Sequence, residues 1–304
     1  MRICSLLPSA TEIAFALGLG DSIVGVTHEC DYPPEATKIP SVVKSAIDPD
    51  KTSSGEIDRI VGEHLQTKKS IYEIDLPRFK AADPDLILTQ ELCDVCAVDY
   101  QEVLKAARTL QKEPRIVSLA PSLLFDVLRD IERVGQATGR SSDAEDFVII
   151  LKGRIERVRE LAHQSIQRPR VVCLEWLEPI YSPGHWVPEM VELAAGREML
   201  GKKGEPSMKS DWESVLQFAP EVIVLMPCGF NIERILKEVH LLYQLPGWDE
   251  LPAVKENRVF AVNGHAYFNR SGPRLVDGLE ILGQIIHPEI FTWKAPPEAA
   301  RRLN

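Results

Sequence analysis

The sequence predicts an α/β protein: two Rossmann-like lobes with parallel sheets, joined by one long backbone α-helix. Strand-like apolar runs alternate with helical patterns before residue 122 and again after residue 169, which is typical of parallel sheets covered by helices. The stretch between them carries only helical patterns. The predicted divisions are an amino-terminal lobe at residues 1–140, a connecting helix at 141–168, a carboxyl-terminal lobe at 169–290 and a tail at 291–304.

The amino-terminal lobe begins with an apolar strand followed by an amphipathic helix. This helix opens at Pro8, with Ser9 or Thr11 as its predicted cap, and Gly18 or Gly20 is expected to end it. The pattern then predicts the following elements in order: a strand at 23–27, a helix at 56–66, a short helix and then a strand at 85–89 within PRFKAADPDLILTQ (77–90), a helix at 98–111 and a strand at 115–121.

Two helices follow, at residues 122–139 and 142–167. The second is long enough to run from one lobe to the other, and Ser142 or Asp143 is its predicted cap. Its apolar residues keep a helical spacing that predicts one continuous face: Phe147, Ile150, Leu151, Ile155, Val158 and Leu161.

The carboxyl-terminal lobe repeats the alternation. Its predicted strands are 170–175, 221–226 and 258–262, and its predicted helices are 187–195, 211–217, 231–243 and 272–286. The phrases ADPDLIL (82–88) and APEVIVL (219–225) are nearly the same, which favours two similar lobes. Pro296 and Pro297 argue against a helix in the tail, which is expected to pack poorly.

Composition, charge and the absence of known motifs argue against several classes of function. A formal net charge of −10 argues against a nucleic-acid surface and against anionic membranes, and no apolar run reaches the length of a membrane-spanning helix. The common catalytic motifs (G-x-S-x-G, the P-loop, G-x-G-x-x-G after a strand and H-E-x-x-H) are absent, which predicts a binding protein rather than an enzyme. The start of the chain does not read as a secretory signal, so the expected location is cytoplasmic, or periplasmic if a leader was removed.

Chemically capable side chains follow the strand-like runs. In open α/β sheets, ligands bind beyond the carboxyl ends of the strands, so these segments predict one small-molecule site. Several of the side chains are large and flat, which suits a macrocyclic ligand: Tyr32, Trp176, Trp186, Tyr267 and Phe268. The alternative is that these aromatic residues are simply core.

Cysteine and histidine residues give a second possibility. Cys93 and Cys96 have a spacing at which two thiolates chelate one metal, with Cys30 or His28 among the candidates to complete the site. The same pair could be a redox dithiol, or two small buried residues. His28, His185 and His265 are candidate axial ligands for a cobalt or haem iron.

Two segments carry a family resemblance. SLLPSATEIAFALGLGDSIVGVTHECDYPP (5–34) and FNRSGPRLVDGLEIL (268–282) resemble the helical-backbone metal receptors, and the first is similar to the cobalamin-binding branch. The resemblance implies a non-catalytic protein that holds cobalamin or a related corrinoid in the cleft between its lobes. The alternatives are a haem or ferric-siderophore binder on the same fold, or a Cys/His metal-binding or thiol redox protein.

The resemblance also implies individual roles. Tyr32 matches the aromatic that lies against the corrin, and Phe268 with Tyr267 matches a pair on the far wall. Gln90 and Ser207 stand where the cobalamin binders carry tryptophans, so other aromatics would have to compensate: Tyr72, Trp176 or Trp186. The remaining candidate ligand contacts lie in the same strand-end segments: Pro8, Glu91, Phe230 and Arg270.

The expected partner is therefore a corrinoid or another metal chelate, without nucleic acid and without membrane insertion. Exported members of the family dock on an ABC importer through one carboxylate in each lobe. Glu213 matches the carboxylate of the second lobe, but Pro77 falls where the other should be. The resemblance thus implies weakened docking to an importer.

Overall fold

The computed structural model describes residues 1–48, 51–67, 70–91 and 97–303. The chain divides into two compact units of similar size. Unit 1 comprises Met1–Thr52, Arg59–Pro121 and Phe125–Ile150, and unit 2 comprises Ser53–Asp58, Ser122–Leu124 and Leu151–Asn304. The domain boundaries expected from the sequence stay predictions.

Unit 1 is built on a four-stranded parallel sheet with the strand order β2-β1-β5-β6, and β3 and β4 form a separate antiparallel pair. The strands are β1 (Ile3–Ser5), β2 (Ile23–Gly25), β3 (Val43–Ser45), β4 (Tyr72–Ile74), β5 (Leu86–Thr89) and β6 (Arg115–Ser118). The four strands of the main sheet confirm the sequence prediction.

The helices that begin in this half of the chain are α1 (Pro8–Ala16), α2 (Ser54–Thr67), α3 (Leu76–Ala82), α4 (Tyr100–Ala107), α5 (Leu124–Thr138) and α6 (Ser141–Ala162). Asp75 and Asp99 cap α3 and α4 by accepting backbone N–H bonds of 3.2 and 3.1 Å. The predicted cap of α1 is wrong: Leu7 is the N-cap residue and no side chain caps the helix. The hydroxyl of Thr11 turns instead to the hydroxyl of Ser5, at 2.8 Å.

One face of the unit 1 sheet packs against α3 and α4. Cys4 and Ile87 are register partners on β1 and β5, and both belong to this core together with Phe79 of α3 and Val103 of α4. Phe79 is fully buried. Apolar burial of this kind holds the sheet and fixes its carboxyl edge in place.

Unit 2 has a second four-stranded sheet with the order β12-β11-β10-β7, in which only β12 runs antiparallel. Strands β8 and β9 form a short antiparallel pair. The strands are β7 (Val171–Leu174), β8 (Trp176–Leu177), β9 (Ile180–Tyr181), β10 (Val222–Leu225), β11 (Val259–Val262) and β12 (Ala300–Leu303).

Strand β12 corrects the prediction of a poorly packed tail. It pairs with β11, so that Leu303 lies opposite Val259 and is buried in the unit 2 core. Arg301 donates to Glu233 at 2.8 Å, and the guanidinium of Arg302 lies 5.6 Å from the ring centroid of Phe260. The two prolines do exclude a helix there, but an extended strand at the sheet edge satisfies the same local constraint.

The helices of unit 2 are α7 (Val187–Leu193), α8 (Trp212–Phe218), α9 (Ile232–Glu238), α10 (His240–Tyr243), α11 (Pro252–Lys255), α12 (Gly264–Tyr267) and α13 (Leu275–Ile286). Asp211, Asn231 and Asn263 cap α8, α9 and α12 with side-chain oxygens that accept backbone N–H bonds. Each of these helices therefore begins directly at a capping residue.

Helix α6 contributes residues to both units, as the prediction of a long backbone helix requires. Its buried face differs from the predicted one: it consists of Ala144, Val148, Leu151, Ile155, Val158 and Ala162. Ile150, predicted on that face, is 60% exposed. Alanines with small side chains complete the true face, so a pattern of large apolar residues alone points in a slightly wrong direction. Within the described ranges, no helix is long and apolar enough to cross a membrane.

Candidate functional site

The carboxyl ends of the parallel strands in unit 1 meet at one edge of the sheet, where ligands bind in α/β proteins. Pro8 follows β1 and starts α1, and Tyr32 lies in the loop after β2. Gln90 and Glu91 follow β5, the first buried and the second exposed. Tyr32 is 45% exposed. Among the predicted contacts in unit 1, Tyr32 therefore presents the largest aromatic surface to solvent.

His28 and Tyr72 lie close together in the same unit. Their ring centroids are 5.7 Å apart, and the Nε2 atom of His28 lies 3.9 Å from a carboxylate oxygen of Glu29. His28 and Tyr32 belong to one loop, which follows β2. An imidazole and a phenol are thus both carried by that loop.

Cys30 is buried and engaged with hydroxyl groups. Its sulfur lies 3.1 Å from the Thr11 hydroxyl and 3.3 Å from the Thr27 hydroxyl. No group of three or more His, Cys, Asp or Glu side chains in the described part of the chain could hold a metal ion. Cys93 and Cys96, the core of the predicted metal or redox site, lie outside the described residues.

In unit 2, Trp176 comes two residues after β7 and Phe230 comes five residues after β10. Their ring centroids are 5.0 Å apart with the planes inclined by 50°. Phe230 is 1% exposed, whereas Trp176 is only partly buried. Trp176 can therefore offer a face to a ligand, and Phe230 supports it from within the core.

Trp186 and Phe268 are both buried in unit 2. The indole Nε1–H of Trp186 donates to the backbone oxygen of Phe268 at 2.7 Å. A Cβ atom built on Gly278 of α13 would lie 3.2 Å from the Phe268 ring, so this ring packs directly on the helix. The placement fits a role in the packing of unit 2, and a ligand contact at these two residues stays a prediction.

The two histidines of unit 2 have different surroundings. His185 stacks on Trp186 with ring centroids 5.5 Å apart, and burial lowers the pKa of its imidazole. The guanidinium of Arg270 donates to the Nε2 atom of His265, so that lone pair is already used. Tyr267 lies beside Arg274, whose guanidinium is 5.7 Å from the ring centroid.

Two partly buried carboxyl groups, Glu175 directly after β7 and Glu198, have perturbed pKa values. Burial raises the pKa of Glu175 to about 7 and the pKa of Glu198 to about 7, and the charge of Glu198 contributes to the shift of Glu175. Glu175 accepts hydrogen bonds from the Ser207 hydroxyl and, at 3.2 Å, from the backbone N–H of Gly184. Glu198 was missed in the sequence, because no motif marks it.

The helix predicted at 56–66 begins later than α2, so the prediction missed the first turn of this helix. Residues Ser53 and Glu56 form a capping box, in which the hydroxyl of Ser53 donates to Glu56 at 2.8 Å. This S-x-x-E pattern marks the start of the helix. It gives no sign that residues 53–58 pack within unit 2.

The two positions that the family resemblance assigns to importer docking are both exposed and lie in the first turns of helices. Glu213 is exposed in the first turn of α8 and accepts from the side chain of Gln217 at 3.2 Å. Pro77 is exposed in the first turn of α3.

Comparisons with known proteins agree with this architecture. The chain is 28% identical over 297 residues to an uncharacterized ABC transporter substrate-binding lipoprotein of Bacillus subtilis, covering 95% of this chain and 81% of that protein. It is 26% identical over 282 residues to a vitamin B12-binding protein of Vibrio cholerae, covering 92% of this chain and 86% of that protein.

The fold resembles solved structures of the same kind. One is a periplasmic heme-binding protein from Roseiflexus, with a TM-score of 0.71 and 22% identity, covering 95% of this chain and 98% of that one. At 22% identity, this structural likeness shows that the two proteins share a fold.

The family model described as periplasmic binding protein matches residues 3–264. The resemblance to the helical-backbone metal receptors is therefore confirmed. The predicted location in the cell stays a prediction. The chain belongs to the periplasmic binding protein family, whose members bind small molecules.

Proposed function

We propose that this protein binds a corrinoid, cobalamin or a close relative, without catalysing a reaction. The observation that carries the proposal is the likeness to the Vibrio cholerae vitamin B12-binding protein over 92% of this chain. Tyr32 supports it, because a half-exposed phenol ring at the carboxyl edge of a parallel sheet offers the flat surface that a macrocycle needs.

In unit 2, taken by itself, Trp176 is the side chain best placed to offer a flat surface to a ligand. It lies at the corresponding edge, beyond β7, and is partly exposed while Phe230 is buried beneath it. Polar groups near this edge, such as Cys228 and Asn263, follow β10 and β11. Amide side arms of a corrin would find hydrogen-bond partners among such groups.

A haem is the second candidate ligand. His28 and Tyr32 lie on one loop, and imidazole and phenolate are both axial ligands of haem iron in proteins. The chain also shares its fold with a heme-binding protein. A haem bound here would use one of these side chains as an iron ligand, whereas cobalamin would need only the ring of Tyr32.

An absorption titration distinguishes the two ligands. Purified protein is titrated with cyanocobalamin, hydroxocobalamin and haemin, and the visible spectrum is followed. Saturable changes with the cobalamins at micromolar concentrations or below support the proposal. Saturation with haemin alone, together with its loss in a His28→Ala or Tyr32→Phe variant, would establish the second candidate instead.

Docking to an ABC importer is a further part of the proposal. Glu213 is exposed at the start of α8 and can meet a cationic partner, while Pro77 at the start of α3 carries no charge. We propose that any such contact depends on unit 2. Charge pairs at an interface mainly govern encounter and orientation, so Glu213→Gln should slow association with a cognate permease in surface plasmon resonance.

A further inference from the structure

The first turn of α2, residues Ser53–Asp58, is held within unit 2 by a closed set of contacts; we call it the anchor segment. The backbone N–H of Ser54 donates to both carboxylate oxygens of Glu238, at 3.1 and 3.2 Å. The backbone oxygen of the same residue accepts from the indole Nε1–H of Trp176 at 3.1 Å. Ser54 is thus bonded on both sides of its backbone and is fully buried.

The remaining members link these two bonds together. Glu238 pairs with Arg234 one helical turn away, at 2.8 Å. The guanidinium of Arg234 lies 4.3 Å from the ring centroid of Phe230, and that ring packs on Trp176. The contacts therefore run from Ser54 through Glu238, Arg234, Phe230 and Trp176 back to Ser54.

A second group of contacts fixes the other end of the anchor segment. Asp58 accepts from the Tyr181 hydroxyl at 2.8 Å and from the Lys209 ammonium at 2.9 Å. Between the two ends, Ile57 packs against the unit 2 core. The segment is therefore attached by polar bonds at both ends and by an apolar contact in the middle.

These contacts matter for Trp176 because a tryptophan side chain rotates about two bonds, so its ring could adopt several orientations. Apolar packing on Phe230 limits the ring to one side, and the bond to Ser54 then selects one orientation of the plane. The carboxylate of Glu238, which belongs to α9, lies at the N-terminus of α2. Backbone N–H groups at a helix N-terminus have no partner within the helix, so a negative charge there stabilises it. Loss of that carboxylate would release the helix start, and with it the acceptor of the indole.

We propose that the anchor segment is a positioning element that sets the orientation of the Trp176 ring for ligand binding in unit 2. This inference rests on the proposed function, because it takes Trp176 as a ligand contact. Glu238 and Ser54 act through Trp176 and touch no ligand themselves.

The test uses Glu238→Ala, with Glu233→Ala as the matched control on the same helix. Glu233 pairs with Arg301 at the surface, and an exposed ion pair contributes little to stability. Tryptophan emission and its quenching by acrylamide are measured for both variants, in the natural sequence and in a Trp176→Phe background. Circular dichroism checks that each variant is folded, and Glu238→Gln, which keeps an acceptor for the Ser54 N–H, serves as the rescue.

Glu238→Ala is expected to shift the emission to the red and to increase quenching, and both changes should vanish in the Trp176→Phe background. Its affinity for cyanocobalamin should fall by roughly 5- to 30-fold, as for loss of one or two hydrogen bonds. Glu233→Ala should behave like the wild type, and Glu238→Gln should recover most of the affinity.

Unchanged emission in folded Glu238→Ala would overturn the inference, and so would a change that persists without Trp176. If Glu238→Ala does not fold, Asp58→Ala, which removes the acceptor for Tyr181 and Lys209, is measured in its place with the same expected emission and affinity changes. If the wild type binds no cobalamin, the proposed function fails, whereas the emission measurements still decide whether the anchor segment orients Trp176.

Discussion

The indole of Trp186 donates a hydrogen bond of 2.7 Å to the backbone oxygen of Phe268, and both side chains are buried. This bond ties the loop before α7 to the segment that leads into α13. A buried carbonyl that loses a hydrogen-bond donor still carries the cost of its desolvation. The pair therefore contributes to the stability of unit 2, whatever its part in ligand binding.

Replacement of Phe268 by alanine should lower the free energy of unfolding by about 3–5 kcal/mol, because it leaves a cavity beside α13. Denaturant unfolding measures this change. Phe125→Ala is the control, since that ring is 41% exposed and its loss should cost about 0.5 kcal/mol or less. Equal unfolding midpoints for Phe268→Ala and the wild type would show that the ring is not part of the core.

The sequence predicted the parallel strands of the two main sheets, since a short run of apolar residues is a local property. Runs such as LILT and VIVL form β5 and β10, and both are fully buried strands. Cap residues were predicted less well. The side chain of Thr11 was expected at the helix start, but its hydroxyl has a closer partner in Ser5, which no local pattern reveals.

Burial of the aromatic residues was harder to predict from the sequence. Tyr32 and Phe268 are both aromatic residues that follow strands, so the sequence does not distinguish them, yet Tyr32 is 45% exposed and Phe268 is 1% exposed. The difference depends on which distant segment covers each ring, and α13 covers Phe268. Similarly, the hydrogen bond from Ser54 to Glu238 joins residues 184 positions apart in the sequence. The spacing of apolar residues along the chain carries no information about such a distant pair.

Two glycines should respond in opposite directions to substitution by alanine. A Cβ on Gly278 would overlap the backbone oxygen of Tyr267, so Gly278→Ala should destabilise the protein by about 1–3 kcal/mol through overpacking. Gly153 lies inside α6, and a Cβ built on it would meet no described atom within 4 Å outside the backbone of that helix, so Gly153→Ala should stabilise the protein by about 0.5–1 kcal/mol. Thermal or denaturant unfolding measures both. A destabilised Gly153→Ala or an unaffected Gly278→Ala would contradict the packing described for these helices.

The buried carboxyl of Glu175 predicts a pH dependence of stability. Its pKa is raised from an ordinary value of 4.5 to about 7, by burial first and by the charge of Glu198 as well. The folded state therefore holds a proton that the unfolded state has released, so this contribution is complete below pH 4.5 and is lost as the pH rises to about 7. Ser207 and Gly184 donate to the carboxylate and oppose the shift.

Glu175→Gln removes that titration while keeping an acceptor for Ser207 and Gly184. Relative to the wild type, the variant should gain stability as the pH rises from 4.5 to about 7, with a constant difference above that range. Urea unfolding across this interval measures the effect. Parallel curves for variant and wild type would mean that the pKa of Glu175 is the same in the folded and the unfolded protein, so that its burial has little electrostatic consequence.

The central claim is that the protein binds a corrinoid against Tyr32, and calorimetric titration with cyanocobalamin tests it most directly. We expect a dissociation constant of about 1 μM or below, equivalent to about −8 kcal/mol. Tyr32→Ala should weaken binding by about 1–3 kcal/mol, as expected for an aromatic contact in a desolvated site, while Trp293→Ala in the tail should leave it unchanged. Absence of heat with both cyanocobalamin and hydroxocobalamin, or a Tyr32→Ala variant that binds as tightly as the wild type, would contradict the account.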